Sequence, residues 1–519
     1  MCRTRLAGPL LALLLALALA PTAVASPLLT MRSDGTTFAR EDRFLPPAVP
    51  DVPVAHASRP APAAGMRRFG ARAAAKRRTV RGELARLLAA GTIDRATHDD
   101  RRAIYADALR LRRKLRGARR AALGAVLRNL ENIAAAGGLT AGRLPALFET
   151  VRRNRAWWAN GPLLRHGARV SFQGSRLVWQ HYAGEGLQIQ WLGTFGKLNG
   201  LWQGGYSASL RELAREAVAL AAQRSGGIAW EYLFRFGGGR PPWVSAMAQA
   251  TAVQALARAG TKLAEPAYLE AARAALGVFR EAPPGGVRVA TPAGAHYLIY
   301  SFAPRLRVLN GFTQAVSGLH DYAELTGDPE GIALFAAGES QLRTELPAYD
   351  TGAWSRYSLE RDADLHYHRL ARDFLRNLCA RLSADTTAPA AGATGGAVAV
   401  PQVPIADPAP YCGAAQRWTA YLNQPPVVRL VSRRVRGGKP ASIRVALSKP
   451  SYVTLRLRRG GRTVVVLGGQ LASGVRTLRW PRPPRSAGRV TAVLDAEDLA
   501  GNRSAAEGAL RVLKARSRR

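Results

Sequence analysis

The chain has little cysteine, three residues in 519. That excludes a disulfide-rich scaffold, and no CxxC pair or Cys/His cluster with zinc-ligand spacing occurs. Acidic residues are scarce as well, 35 Asp plus Glu against 75 Lys plus Arg. After the first 25 residues no apolar run approaches the roughly 20 residues needed to cross a bilayer, so stable membrane insertion is not expected.

What is present starts with an address. Cys2, Arg3 and Arg5 form a basic head, Leu10 to Ala20 an apolar run, and Ala23-Val24-Ala25 a small-residue cleavage motif. Residues 1–25 read as a secretory signal peptide, which predicts a secreted or cell-surface protein and removes Cys2. In an exported chain Cys379 and Cys412 are expected to form one disulfide; two separate buried thiols are the alternative. The net charge of +40 favours a polyanionic partner. Export argues against nucleic acid and leaves an acidic polysaccharide; assembly as a homodimer stays open.

Composition and periodicity divide the remainder. Residues 26–69, rich in Pro, Ala and polar side chains, read as a flexible leader. Residues 70–170 are helical: Leu84, Leu87 and Leu88 share one face, and Leu123, Val126, Leu127, Leu130 and Ile133 form a stripe. Residues 171–384 open with short alternating runs and continue as paired helices separated by Gly- and Pro-rich turns. That pattern predicts a mainly α, (α/α) barrel-like domain with some strands. Residues 385–425 read as a linker. Residues 426–514, with alternating runs about every ten residues, predict an immunoglobulin-like β-sandwich.

Tyr349 to His368 stands apart, because Tyr349, Tyr357, Tyr367 and His368 crowd into a turn-rich stretch between two helical patterns. Read alone, it is either a pocket edge or a rim of amphipathic tyrosines on a helical core. A phenol works as an acid or base only when a cation pulls its pKa down from near 10. Arg356, Arg361, His366 and Arg369 are candidate cations within the stretch, and Arg305, Arg307, Arg356, Arg361 and His368 are candidates to hold a substrate carboxylate or to lower a phenol's pKa. Trp243 is a candidate for stacking on a sugar, with core packing as the alternative. Asn310 is a candidate substrate contact or a helix cap.

Several separated motifs occur in order: Pro242-Trp243-Val244-Ser245-Ala246-Met247-Ala248-Gln249, Val308-Leu309-Asn310-Gly311-Phe312, Tyr349-Asp350-Thr351-Gly352, Tyr357-Ser358-Leu359 and Tyr367-His368. Over about Phe172 to Leu378 the chain resembles the C-terminal catalytic domain of D-glucuronyl C5-epimerases, which act on heparosan-type chains. The resemblance implies that Tyr300, Tyr357 and Tyr367 are the catalytic phenols. It departs from the family at Ile299-Tyr300-Ser301, at Val244, and at Glu360, where the family carries Arg.

C5 epimerisation removes the proton beside a uronate carboxylate and returns one to the opposite face. Two acid/base groups suffice, so no cofactor and no metal are expected. A polysaccharide lyase shares the first step and stays open as an alternative. So does a non-catalytic protein that binds anionic glycans. A hydrolase would need two well-placed carboxylates, where this segment offers phenols.

Overall fold

In the computed structural model the described residues are 27–46, 78–387 and 406–515. The signal-peptide expectation at 1–25 lies outside them, as does the leader from 47 onward. The beginning of that leader is not flexible: β1 (Pro27–Met31) and β2 (Thr37–Glu41) form an antiparallel hairpin. Its turn is built from Asp34, whose carboxylate accepts from the Thr36 amide, and Gly35 at φ +86°. β1 pairs in parallel with β3 (Arg169–Phe172), and β4 (Trp179–Tyr182) and β5 (Gly186–Ile189) complete the sheet in the order β2-β1-β3-β4-β5. Beyond β2, Asp42 meets Lys197 at 2.7 Å with both side chains buried. Long-range pairing therefore overrides a composition that reads as unstructured.

Four helices follow the leader: α1 (Val80–Ala89), α2 (Arg95–Lys114), α3 (Gly117–Ala135) and α4 (Leu144–Asn160). The predicted Leu123–Ile133 stripe is buried on α3. Next come helical hairpins, α5 (Trp191–Gln203) with α6 (Ser207–Val218), and α7 (Ala246–Leu263) with α8 (Pro266–Ala274). After the short α9 (Gly277–Arg280), α10 (Leu309–Thr326) pairs with α11 (Pro329–Glu345), and α12 (Leu365–Thr387) with α13 (Ala409–Tyr421). The first members form a row, α5 beside α7, α7 beside α10, α10 beside α12. Small residues allow the close approach of α7 and α10: a Cβ on Gly318 would lie 2.5 Å from the Ala250 carbonyl. Small antiparallel ribbons join the hairpins, β6 (Ala222–Arg224) with β7 (Gly227–Ala229) and β8 (Arg288–Thr291) with β9 (Gly294–Tyr297). Another, β10 (Arg356–Ser358) with β11 (Arg361–Asp362), precedes α12.

Part of the expected linker at 385–425 is helical. α13 lies along α12, burying Tyr411, Trp418 and Tyr421, and the Cys379–Cys412 disulfide joins the two helices. Apolar burial and the cross-link explain a helix that composition alone hides. Cutting the disulfide frees a loop of 33 residues and is expected to cost about 3–4 kcal/mol. Urea unfolding with and without reductant measures that loss; coincident curves would refute it.

The C-terminal region is all strand, with its own apolar core. One sheet is β12 (Val428–Leu430), β14 (Ala441–Leu447) and β17 (Gly474–Trp480). The other runs β13-β19-β18-β15-β16, with β13 (Arg434–Arg436), β15 (Ser451–Arg459), β16 (Arg462–Leu471), β18 (Gly488–Asp498) and β19 (Arg503–Leu513). Buried positions alternate along β14, β15 and β18, as one core-facing side requires.

The two regions are joined through charge. Lys449 is 1% exposed, and its ammonium donates to the carbonyls of Tyr421 and Gln424 and to the Asp498 carboxylate at 3.0 Å. It also lies 5.4 Å from the centre of the Trp354 ring. Asn502 donates to the Leu422 carbonyl, and the Ser473 amide donates to Asp362 of β11.

Candidate active site

A small apolar cluster separate from the main core gathers Met247, Ile299, Val308, Tyr357, Ala363 and Tyr367, with Tyr300 and Leu192 packed against it. Leu192, Met247 and Tyr367 lie in the first turns of α5, α7 and α12, and Val308 is the N-cap of α10. The row of helices is therefore parallel, and four N-termini converge where the three phenols meet. The partial positive charge of helix N-termini favours an anion there.

Local hydrogen bonds bring the segments together. The Ala246 amide donates to the Leu298 carbonyl and the Ser301 amide to the Val244 carbonyl, holding Tyr300 beside the start of α7. A lone antiparallel bridge between Val308 and Ser358 sets the entry to α10 beside β10 and thus beside Tyr357. Asp364 caps the first turn of α12 by accepting from the Tyr367 amide. The Tyr357 and Tyr367 rings touch edge to face at 4.7 Å, both nearly buried. Tyr300 stands on an aromatic wall of Phe236, Trp243 and Phe302, with centroids 5.3–5.7 Å away.

The candidate cations divide. Arg361, exposed on β11, places its guanidinium 5.8 Å from the Tyr357 ring centre. Glu360 is exposed at the turn between β10 and β11. Arg305 is exposed three residues before the bridge at Val308. Arg356 is spent inside the ribbon, donating to the Leu359 carbonyl at 2.9 Å. Trp243 is 4% exposed, stacked on Tyr232 at 4.3 Å, and its indole donates to the Phe234 carbonyl, so it is core and offers no face to a sugar. Asn310 is not a helix cap, because Val308 holds that place. Its amide oxygen is buried and, among the described residues, has no hydrogen-bond partner; nor does Nη1 of Arg307. Both unspent atoms flank Val308.

His368 is corrected from substrate ligand to scaffold. It is fully buried and stacks on Trp354 at 3.8 Å. Its Nε2 donates to the Trp418 carbonyl, so Nδ1 accepts from Ser355. The imidazole is neutral, with burial lowering its pKa to about 4. In the unfolded chain a histidine titrates near 6.5. Stability is therefore complete above pH 6.5 and falls as pH drops toward 4, by about 2 kcal/mol at pH 5. Urea midpoints at pH 7.5 and 5 measure this, and a His368→Gln variant should flatten the slope. An unchanged slope in that variant would remove His368 as its source.

Tyr349 is also scaffold, since it is fully buried and donates to Glu345 at 2.9 Å. Asp350 makes the turn, accepting from the Gly352 amide and from the Tyr421 hydroxyl. Among the described residues one group could hold a metal, His320, Glu324 and Asp385, with ligand atoms within 4.8 Å. Burial opposes charge on His320, but its hydrogen bonds to Asp321 and Asp385 outweigh it and raise its pKa. None of its residues belongs to the tyrosine cluster.

Comparison with known proteins points to the same segment. Residues 224–387 match the family described as D-glucuronyl C5-epimerase C-terminus. The D-glucuronyl C5-epimerase of Caenorhabditis elegans is 34% identical over 132 residues, 23% of this chain and 21% of that protein. An uncharacterised protein of Methanocaldococcus jannaschii is 29% identical over 153 residues, 28% of this chain and 50% of that protein. The chain thus spans half or less of the length of these curated relatives. An endo-β-1,4-glucanase structure from Acetobacter xylinum aligns at a TM-score of 0.28 and 14% identity, covering 45% of this chain and 88% of that one, too distant to bear on the fold. Tyr300, Tyr357 and Tyr367 all lie inside residues 224–387, the segment similar to the D-glucuronyl C5-epimerase C-terminus.

Proposed function

We propose that this protein is a secreted uronate C5-epimerase acting on glucuronate residues within an acidic polysaccharide. The observation that carries the reading is the meeting of Tyr300, Tyr357 and Tyr367 in one cluster, drawn from three separate segments of the epimerase-family region. In the same reading the helical row is part of an (α/α) barrel and the C-terminal sheets form an immunoglobulin-like sandwich.

One phenolate takes the C5 proton, and the electrons pass into the carboxylate to give an enolate. A phenol on the other face then returns a proton to C5, and the configuration inverts. Tyr357 and Tyr367, with rings in contact, leave no gap for a sugar between them. They therefore serve one face, and Tyr300, on its own aromatic wall, serves the other. Arg361 beside Tyr357 favours the phenolate, and the four helix N-termini favour the enolate dianion. Glu360 leaves Arg361 as the cation of this ribbon nearest the ring.

Incubation with a glucuronate polymer in D2O tests the reading. Deuterium at C5, with iduronate-type sugars appearing, supports the epimerase. New ultraviolet absorbance from unsaturated ends would instead mean a lyase. Neither signal on any of several uronans would sink both enzyme readings.

A further inference from the structure

Strand register puts three arginines side by side on the outer face of the five-stranded sheet. Arg434 of β13 is the direct cross-strand partner of Arg511 on β19, and Arg511 is that of Arg489 on β18. All three are exposed. Among the described residues none has an acidic partner within 4 Å, whereas arginines toward the other end of this face are paired, Arg456 with Asp495 and Arg503 with Glu497. Like charges placed directly opposite are destabilising. The three-stranded sheet avoids this arrangement: Arg429, Arg444 and Arg479 face Ala446, Thr477 and Ser442. A cleft of about 600 Å³ beside the row is lined by Arg433, Arg489 and Arg511, with Gly488 and Ala509 among its small residues.

The location is as informative as the charge. The sandwich grips the helices through Lys449, Ser473, Asp498 and Asn502, at one end of its strands. Arg489 lies at the other end of β18, nine residues from Asp498 and so about 30 Å away. The row plays no part in holding the molecule together and is open to a long ligand. Its spacing, two strand separations or about 10 Å from Arg434 to Arg489, suits successive charges on an extended chain.

We infer that the Arg434–Arg511–Arg489 row is a second binding site, which anchors a carboxylate-bearing polysaccharide remote from the tyrosine cluster. The ligand class rests on the uronan reading above; the site rests on the register. Anchoring raises the local concentration of a tethered chain, so it acts on long polymers and not on short ones.

The test uses the full-length protein, with polyglucuronate of defined length as the probe. The triple variant Arg434→Thr, Arg489→Thr, Arg511→Thr is expected to weaken polymer binding about 10-fold or more near 0.1 M salt and to flatten its salt dependence. Its melting temperature should equal or exceed that of the parent, because repulsion is relieved. KM for long polymer should rise while kcat, and turnover of a short oligosaccharide, stay unchanged. The charge-matched triple Arg429→Thr, Arg444→Thr, Arg479→Thr should lose less than about 3-fold. Equal losses in both triples would show bulk charge alone and overturn the site. So would tighter binding of duplex DNA or anionic vesicles than of polyglucuronate. If the parent shows no C5 exchange but the row still binds polyglucuronate selectively, the epimerase reading falls and the site stands.

Discussion

Tyr367→Phe should abolish the appearance of the inverted sugar, a loss of at least about 10² to 10⁴ in rate, the range for removing a positioned acid or base. Far-ultraviolet circular dichroism should not change, because Phe fills the same space beside Tyr357 and the first turn of α12 stays capped by Asp364. Tyr300→Phe gives a second, sharper reading. If Tyr300 serves one face and the Tyr357/Tyr367 pair the other, each single variant loses inversion. Only the variant missing the phenol on the deprotonated face also loses deuterium wash-in. The other should exchange C5 hydrogen with retained configuration. Full inversion in either variant would remove that residue from the mechanism, and identical exchange in both would refute the division of faces.

The grouping of three tyrosines was easier to read in the sequence than the surroundings of each residue. Tyr300, Tyr357 and Tyr367 stood out because motif order along the chain survives folding, and the helical hairpins did because a 3.6-residue repeat with Gly and Pro breaks is a local signal. His368 was misread for a geometric reason. Neighbours on a helix point about 100° apart, so Tyr367 faces the cluster while His368 turns toward Trp354 and Trp418. Trp243 and Arg356 were misplaced because their partners, Tyr232 and the Leu359 carbonyl, are set by turns whose direction periodicity does not encode. The β1–β2 hairpin did leave a cue, Asp34-Gly35 between alternating runs, but its parallel partner β3 lies about 140 residues on in sequence. Lys449 left no cue at all. It is one cation in a basic chain, and Asp498 is 49 residues away.

Lys449→Met should lower stability by about 3 kcal/mol or more, because removing one member of a buried pair strands the other. Asp498 is fully buried at its side chain, and its remaining donors are the amides of Ala500 and Asn502 and the Asn502 side chain. These blunt the loss without cancelling it. The carbonyls of Tyr421 and Gln424 also lose a charged donor at the end of α13. Adding Asp498→Asn should recover part of the loss, since a neutral amide needs no counter-ion there. The consequence for activity follows from the stack. Lys449 lies over Trp354, Trp354 stacks on His368, and the Trp354 indole donates to the carbonyl of Ala363, between β11 and α12. A loosened dock therefore reaches the ribbon that carries Tyr357. The C5 exchange rate of folded Lys449→Met should fall together with its urea midpoint, and the double variant should restore both. A variant that keeps the parent's midpoint would show that the pair adds nothing to the fold. A variant that loses stability but exchanges at the full rate would show that the sandwich holds the helices without positioning Tyr357.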